Sequence, residues 1–198
     1  QFCTRFKTLR APSVLTVIVL LISYPCYAQI PSNSDLERLL AKTDSFMLEA
    51  DYDGALKSAE EIIQMPYQTR AVREAQTQAL NFKVTSLFRL NNREEAFKLL
   101  DSTLVQTELW LGKNNILITQ LLNLKGMMQN TVERPDKAIS TFQDALDVYN
   151  LVEDKDSTLL IQLYINLAAS QNRLSNSDSA IHYGYKALNL LEVKTKAD

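Results

Sequence analysis

The sequence predicts an all-α fold of stacked helical hairpins, and two observations carry that prediction. Small-then-apolar pairs recur at Ala55-Leu56, Ala96-Phe97, Ala138-Ile139 and Ala180-Ile181, at intervals of 41, 42 and 42 residues. Four places after each small residue stand Ala59, Leu100, Phe142 and Gly184, and seven places after it stand Ile62-Ile63, Thr103-Leu104, Ala145-Leu146 and Ala187-Leu188. Offsets of four and seven lie on one helical stripe. Composition is the second observation: only four Gly and an apolar share of 46% suit helices around a core. Units of about 40 residues cannot bury their apolar face alone, so function is expected on the extended surface of the stack.

The first 28 residues read as a separate segment. Arg5, Lys7 and Arg10 make a basic start, Val14 to Ile22 is apolar apart from Thr16, and Ala28 places a small residue before Gln29. That order is the pattern of a cleavable secretory signal peptide. The alternative is an uncleaved anchor, since no charge lies between Ala11 and Ser34. The apolar run is shorter than the roughly 20 residues of a membrane span, and Pro25 and Pro31 interrupt the uncharged stretch beyond it. Cleavage removes Cys3 and Cys26, leaving no thiol for a disulfide or thiolate metal site. It also removes three cations, leaving 18 basic against 23 acidic residues and a net charge of −5. Without a basic stripe, nucleic acid is not an expected partner. The expected location is extracytoplasmic, periplasmic or secreted, with any membrane tether supplied by the leader or by a segment downstream.

Beyond a linker at 29–33, Ser34 with Glu37 suggests a capping box, and Leu36, Leu39, Leu40, Phe46 and Met47 trace a helical face ending near Ala50. Asp51, Asn92, Arg134 and Asn176 each stand four residues before the repeated Ala. Three of them are good N-caps, and Pro135 suits a first helical turn. Pro66, Gly112 and the polar run Glu153 to Asp156 are expected to close units, giving eight helices in units 34–66, 67–112, 113–153 and 154–198. The sole Trp, Trp110, is expected to pack between units. No polar capping helix follows Leu190 and Leu191, so the array is expected to continue past Asp198.

In the third unit Gly126, Ala138, Phe142, Ala145 and Leu146, and in the fourth Tyr164, Leu167, Ala168, Ala180, Ala187 and Leu188, resemble the tetratricopeptide repeat. A spacing of 12 separates Gly126 from Ala138 and Ala168 from Ala180. Small side chains there let two helix axes approach to about 8 Å. Thr43, Val84 and Thr103 make the first two units poorer matches. A HEAT or armadillo array of similar period is the alternative. The resemblance implies a right-handed solenoid of about four antiparallel hairpins, in a long form with about one extra turn per helix. That long form is similar to the extracytoplasmic sensor regions of some membrane histidine kinases.

The resemblance also implies a concave groove lined by the first helix of each hairpin. Carried over residue by residue, its inward places fall on Gln78, Asn81, Thr85, Phe88 and Arg89, then on Gln120, Asn123, Met127 and Asn130, then on Gln162, Ile165, Ala169, Asn172 and Arg173. A ladder of amides both donates and accepts hydrogen bonds, which suits the backbone of an extended peptide. A clamp for a terminal carboxylate fits badly, because Lys83 and Lys125 sit two places after Asn81 and Asn123 and so on another face. No catalytic residue, cofactor or metal is implied. His182 is the only histidine, and Asp154, Asp156 and Thr158 begin a calcium loop that lacks its Gly and its distant Glu. The expected function is a non-catalytic scaffold for a protein or peptide ligand, as the sensory region of a larger signalling protein or as a stand-alone structural adaptor of an envelope complex.

Overall fold

In the computed structural model, residues 31–66, 69–153 and 155–197 are described. They hold eight helices: α1 (Asn33–Leu48), α2 (Tyr52–Ile63), α3 (Arg70–Arg89), α4 (Arg93–Leu111), α5 (Ile116–Thr131), α6 (Pro135–Leu151), α7 (Ser157–Arg173) and α8 (Ser177–Ala197). Each packs on its neighbour in sequence, and the odd-numbered helices also touch across units, α1 with α3, α3 with α5 and α5 with α7. No even-numbered helix approaches another among the described residues. The fold is therefore all-α and built of consecutive hairpins, with odd helices crowded on one side and even helices splayed on the other. The proposed leader, with Cys3 and Cys26, lies outside the described residues. No described helix is long and apolar enough to cross a membrane.

The turn inside each hairpin is the same device four times. Ala50, Asn91, Glu133 and Ser175 all take a left-handed conformation, with φ of 57, 67, 60 and 59°. The residue after each donates its backbone N–H to a carbonyl five places back: Asp51 to Phe46, Asn92 to Leu87, Arg134 to Gln129 and Asn176 to Gln171, every one at 2.9 Å. This is the Schellman closure of a helix C-terminus. In the first three turns the same residue is the N-cap of the next helix. Asp51 caps with its carboxylate on the Gly54 N–H at 2.9 Å, whereas Asn92 and Arg134 make no side-chain cap. Pro135 stands in the first turn of α6, where its missing donor is harmless.

Two local expectations are corrected. The capping box of α1 is Ser32 with Asp35, not Ser34 with Glu37: Asp35 N–H donates to Ser32 Oγ at 3.2 Å and Ser32 N–H to Asp35 Oδ2 at 3.3 Å. Ser32 holds the extended backbone a cap requires (φ −67°, ψ 157°), while Ser34 is already inside the helix. Trp110 lies within a unit rather than between units, with the Arg73 guanidinium of the same hairpin 4.0 Å from its ring centroid.

The core follows the repeated stripe. Ala55, Ala96 and Ala138 are buried, as are Ala59, Leu100 and Phe142 four places on, but Ala180 is only half-buried. Gly126 and Phe142 interlock. A Cβ on Gly126 would lie 2.6 Å from Phe142 Cζ and 2.7 Å from Cδ1, so only glycine lets the ring lie against the facing helix. Thr43 satisfies its buried hydroxyl on Ser58 Oγ at 2.8 Å and on the Leu39 carbonyl at 2.9 Å, which is how a polar residue occupies the place that Gly126 holds later.

Candidate functional site

Because the odd helices converge, their inward side chains share one face. Asn81 and Thr85 of α3, Gln120, Asn123, Leu124 and Met127 of α5, Leu159 and Gln162 of α7, and Asp156 at the N-cap of α7 line a concavity of about 380 Å³. Six of the residues expected in the groove meet here: Asn81, Thr85, Gln120, Asn123, Met127 and Gln162. Apart from Asp156 the lining is uncharged and amide-rich, with apolar Leu124, Met127 and Leu159 among it. Asp156 contributes the sole carboxylate, and that group already accepts the Thr158 N–H at 2.8 Å as the cap of α7.

The groove is partly pre-organised. Asn166 donates from Nδ2 to Asn123 Oδ1 at 2.8 Å, bridging α7 to α5. That leaves the Asn123 Nδ2 pointing toward Met127, whose sulfur lies 3.9 Å away. Asn166 is one place out of phase with Asn81 and Asn123, and that offset lets it reach back to Asn123. Thr85 spends its hydroxyl proton on the Asn81 carbonyl at 2.9 Å, so the oxygen remains available as an acceptor. Gln120 and Gln162 are not held by another side chain in this way, and Met127 stands 42% exposed.

The other expected groove residues go elsewhere. Gln78 lines a separate concavity of about 370 Å³ with Arg70, Glu74 and Asn115. Phe88 is a core residue: its ring meets Phe97 edge-on at 6.1 Å within the cluster around Leu100 and Leu121. Asn130 and Arg173 staple two units together. Asn130 Nδ2 donates to Ser170 Oγ at 2.6 Å, and Arg173 donates to the Asn130 carbonyl at 2.8 Å. Arg89 and Asn172 are exposed at the ends of α3 and α7, and Ile165 and Ala169 are exposed on α7. Sequence reasoning missed Asp156 and Asn166; the signal for Asp156 was its N-cap position, which turns the start of α7 toward the groove.

Lys83 and Lys125 point away from the groove. Lys83 bonds Glu60 Oε2 at 2.7 Å and Lys125 bonds Asp101 Oδ1 at 2.7 Å, so each pins the first helix of a unit to the second helix of the unit before. His182 is exposed beside Tyr183, and no group of three His, Cys, Asp or Glu among the described residues is arranged to hold a metal.

Residues 117–192 match the tetratricopeptide repeat family model. The match spans almost all of α5 to α8, the half in which Gly126, Ala138, Ala168 and Ala187 carry the resemblance. Solved structures extend the likeness of fold beyond that stretch. BtubC (BKLC) from P. vanneervenii superposes with a TM-score of 0.60 at 14% identity, over 82% of this chain and 82% of that one. The MamA RS-1 ArsTM double mutant superposes with a TM-score of 0.52 at 17% identity, over 83% of this chain and 79% of that one. No curated protein matches the sequence. At such identities the likeness is one of fold.

Proposed function

We propose that this protein is a non-catalytic scaffold that holds an extended peptide segment of another protein against α3, α5 and α7. The carrying observation is the convergence of Asn81, Thr85, Gln120, Asn123 and Gln162 on one concavity over the Leu124 and Leu159 side chains. Paired donors and acceptors along a groove satisfy a peptide backbone without demanding its sequence, while an apolar floor takes alternate side chains. The leader-like start supports an extracytoplasmic site of action, and the long repeat supports a sensory region within a larger signalling protein. A stand-alone envelope adaptor is the second reading, favoured by a groove with little charge to recognise any particular ligand.

The test places a photo-crosslinking amino acid at Gln120 or Gln162 in the groove, or at exposed Val105 outside it. Crosslinked protein recovered from the native host should carry a discrete peptide adduct at 120 and 162 and not at 105. Equal labelling at all three positions, or none, removes the groove as the binding site. Export is tested separately, by finding Gln29 as the first residue of the mature protein.

A further inference from the structure

Beside the groove lies the second concavity, which the peptide reading leaves unused. Its volume of about 370 Å³ falls within the roughly 300–1,000 Å³ of small-ligand sites. Three chain segments pass from one concavity to the other in three residues each: Gln78 to Asn81 on α3, Leu117 to Gln120 on α5, and Glu153 to Asp156 between α6 and α7. Three helical residues rise about 4.5 Å, less than two residues of extended chain span at about 3.3 Å each. One peptide can therefore occupy both.

Asn115 shows what the second concavity lacks. It is 9% exposed and caps α5, its Oδ1 accepting the Leu117 N–H at 2.9 Å. That bond fixes which way the side-chain amide faces, and Nδ2, with two protons to donate, has no hydrogen-bond partner among the described residues. The unpartnered side-chain atoms sealed from solvent among those residues are Thr119 Oγ1 and Asn130 Oδ1, so the Asn115 Nδ2 is open to the concavity that Asn115 lines. A donor on a nine-tenths-buried side chain calls for an acceptor from outside. Charge gives the sign of the rest of the ligand. Arg70 is already bound through Nε to Glu74 at 2.9 Å, and Glu153 adds a second carboxylate, so the described lining carries one cation against two anions. Ile116, Leu151 and Val152 supply an apolar wall.

We propose that this concavity holds the free amino terminus of the bound peptide: the ammonium on Glu153, the first carbonyl accepting from Asn115 Nδ2, and an apolar first side chain against Leu151 and Val152. This rests on the peptide reading of the groove and adds a direction to it, since the chain enters beside Glu153 and runs on past Gln120. A free amino acid matches less well, because its carboxylate would meet two glutamates and an arginine that is already paired. A peptide's carboxyl terminus is disfavoured on the same ground.

The experiment titrates the isotopically labelled full chain with leucine amide, which carries the ammonium, the carbonyl and an apolar side chain, and follows the Asn115 side-chain amide by NMR. Saturable shifts are expected, with affinity at least tenfold weaker after Glu153→Gln or Asn115→Ser. Serine keeps a capping oxygen and loses the donor, and circular dichroism checks that the helices persist. N-acetyl-leucine amide, which has no ammonium, and leucine, which has a carboxylate, are each expected to bind at least tenfold more weakly. Equal binding of the acetylated compound, or no saturable shift, overturns the proposal. So does leucine binding as tightly as its amide, which would make the ligand a free amino acid. The two readings fail differently. Loss of the leucine amide shifts with discrete adducts at 120 and 162 overturns this proposal alone, whereas absence of those adducts overturns the peptide reading and this one with it.

Discussion

At the scale of single residues, two helical glycines that look alike in sequence have opposite roles. Gly126→Ala drives a methyl group into the Phe142 ring and is expected to cost about 1–3 kcal/mol. Gly184→Ala meets nothing within 4 Å and removes the entropic penalty of glycine inside a helix, so it should stabilise by about 0.5–1 kcal/mol. Urea unfolding of the two variants should move the midpoint in opposite directions. The left-handed turn residues give a second test. Glu133 carries a full side chain at φ 60°, where L-residues are strained by roughly 1–2 kcal/mol. Glu133→Gly relieves this at some cost in chain entropy, for an expected net gain of about 0.5–1 kcal/mol in the same assay. The need for a small residue at Gly126 was legible from its recurrence with Ala138. The choice of Ser32 over Ser34 as a cap was not, because it turns on which serine keeps an extended backbone.

At the scale of elements, units are joined by a few polar ties around the apolar clusters. Gln76 of α3 is buried and donates to two carbonyls at the end of α2, Ile63 at 3.1 Å and Met65 at 2.8 Å. Replacing it with Leu keeps the volume but leaves both carbonyls unpaired, an expected loss of about 1–3 kcal/mol. Tyr149 plays the same part between α6 and α7, donating its hydroxyl to the Asp156 carbonyl at 3.0 Å; burial, followed by the nearby Asp156 charge, holds its pKa above the ordinary tyrosine value. The Glu60 carboxyl titrates. The hydrogen bond from Lys83 is the main cause that holds the Glu60 carboxyl below its ordinary value, against some desolvation. A carboxyl depressed in the folded state stabilises above its unfolded pKa, and that contribution is lost as pH falls through the folded one. Since Glu60 is 39% exposed, the gap between wild type and Lys83→Met should be only about 0.5 kcal/mol at pH 7, closing toward zero as pH falls through the lowered Glu60 pKa. These ties also explain how far the groove could be read from sequence. Positions 81, 85, 120, 123, 127 and 162 follow from carrying the family's inward-facing places across residue by residue. The period does not tell that Phe97 draws Phe88 into the core, or that Ser170 and Arg173 tie up Asn130, because those outcomes depend on the neighbouring helix.

At the scale of the whole molecule, Ser34, Arg38 and Ser45 on α1 are polar while Ile181 and Leu188 on α8 are exposed and apolar, and the stability of the described helices should follow that difference. In a stack whose units touch only their neighbours, the stability of each helix is set by how many faces are covered. Leu146 and Leu188 are the same residue at the same place in successive units, but Leu146 has α7 against it and Leu188 is exposed. Leu146→Ala is expected to destabilise by about 1–3 kcal/mol, whereas Leu188→Ala should stay within about 0.5 kcal/mol. Amide exchange should report the same asymmetry without substitution: α8 opens before α6, while α1, whose outer face is polar by composition, does not show a comparable excess over α3. The alternative is that helix propensity sets local stability. Gly184 would then account for early opening of α8, and Gly184→Ala would bring its protection level with that of α6. If the exposed apolar face is the cause, Gly184→Ala slows exchange in α8 only modestly, and Leu146→Ala lets α8 and α7 open together, because losing that interface uncouples their hairpin from α6.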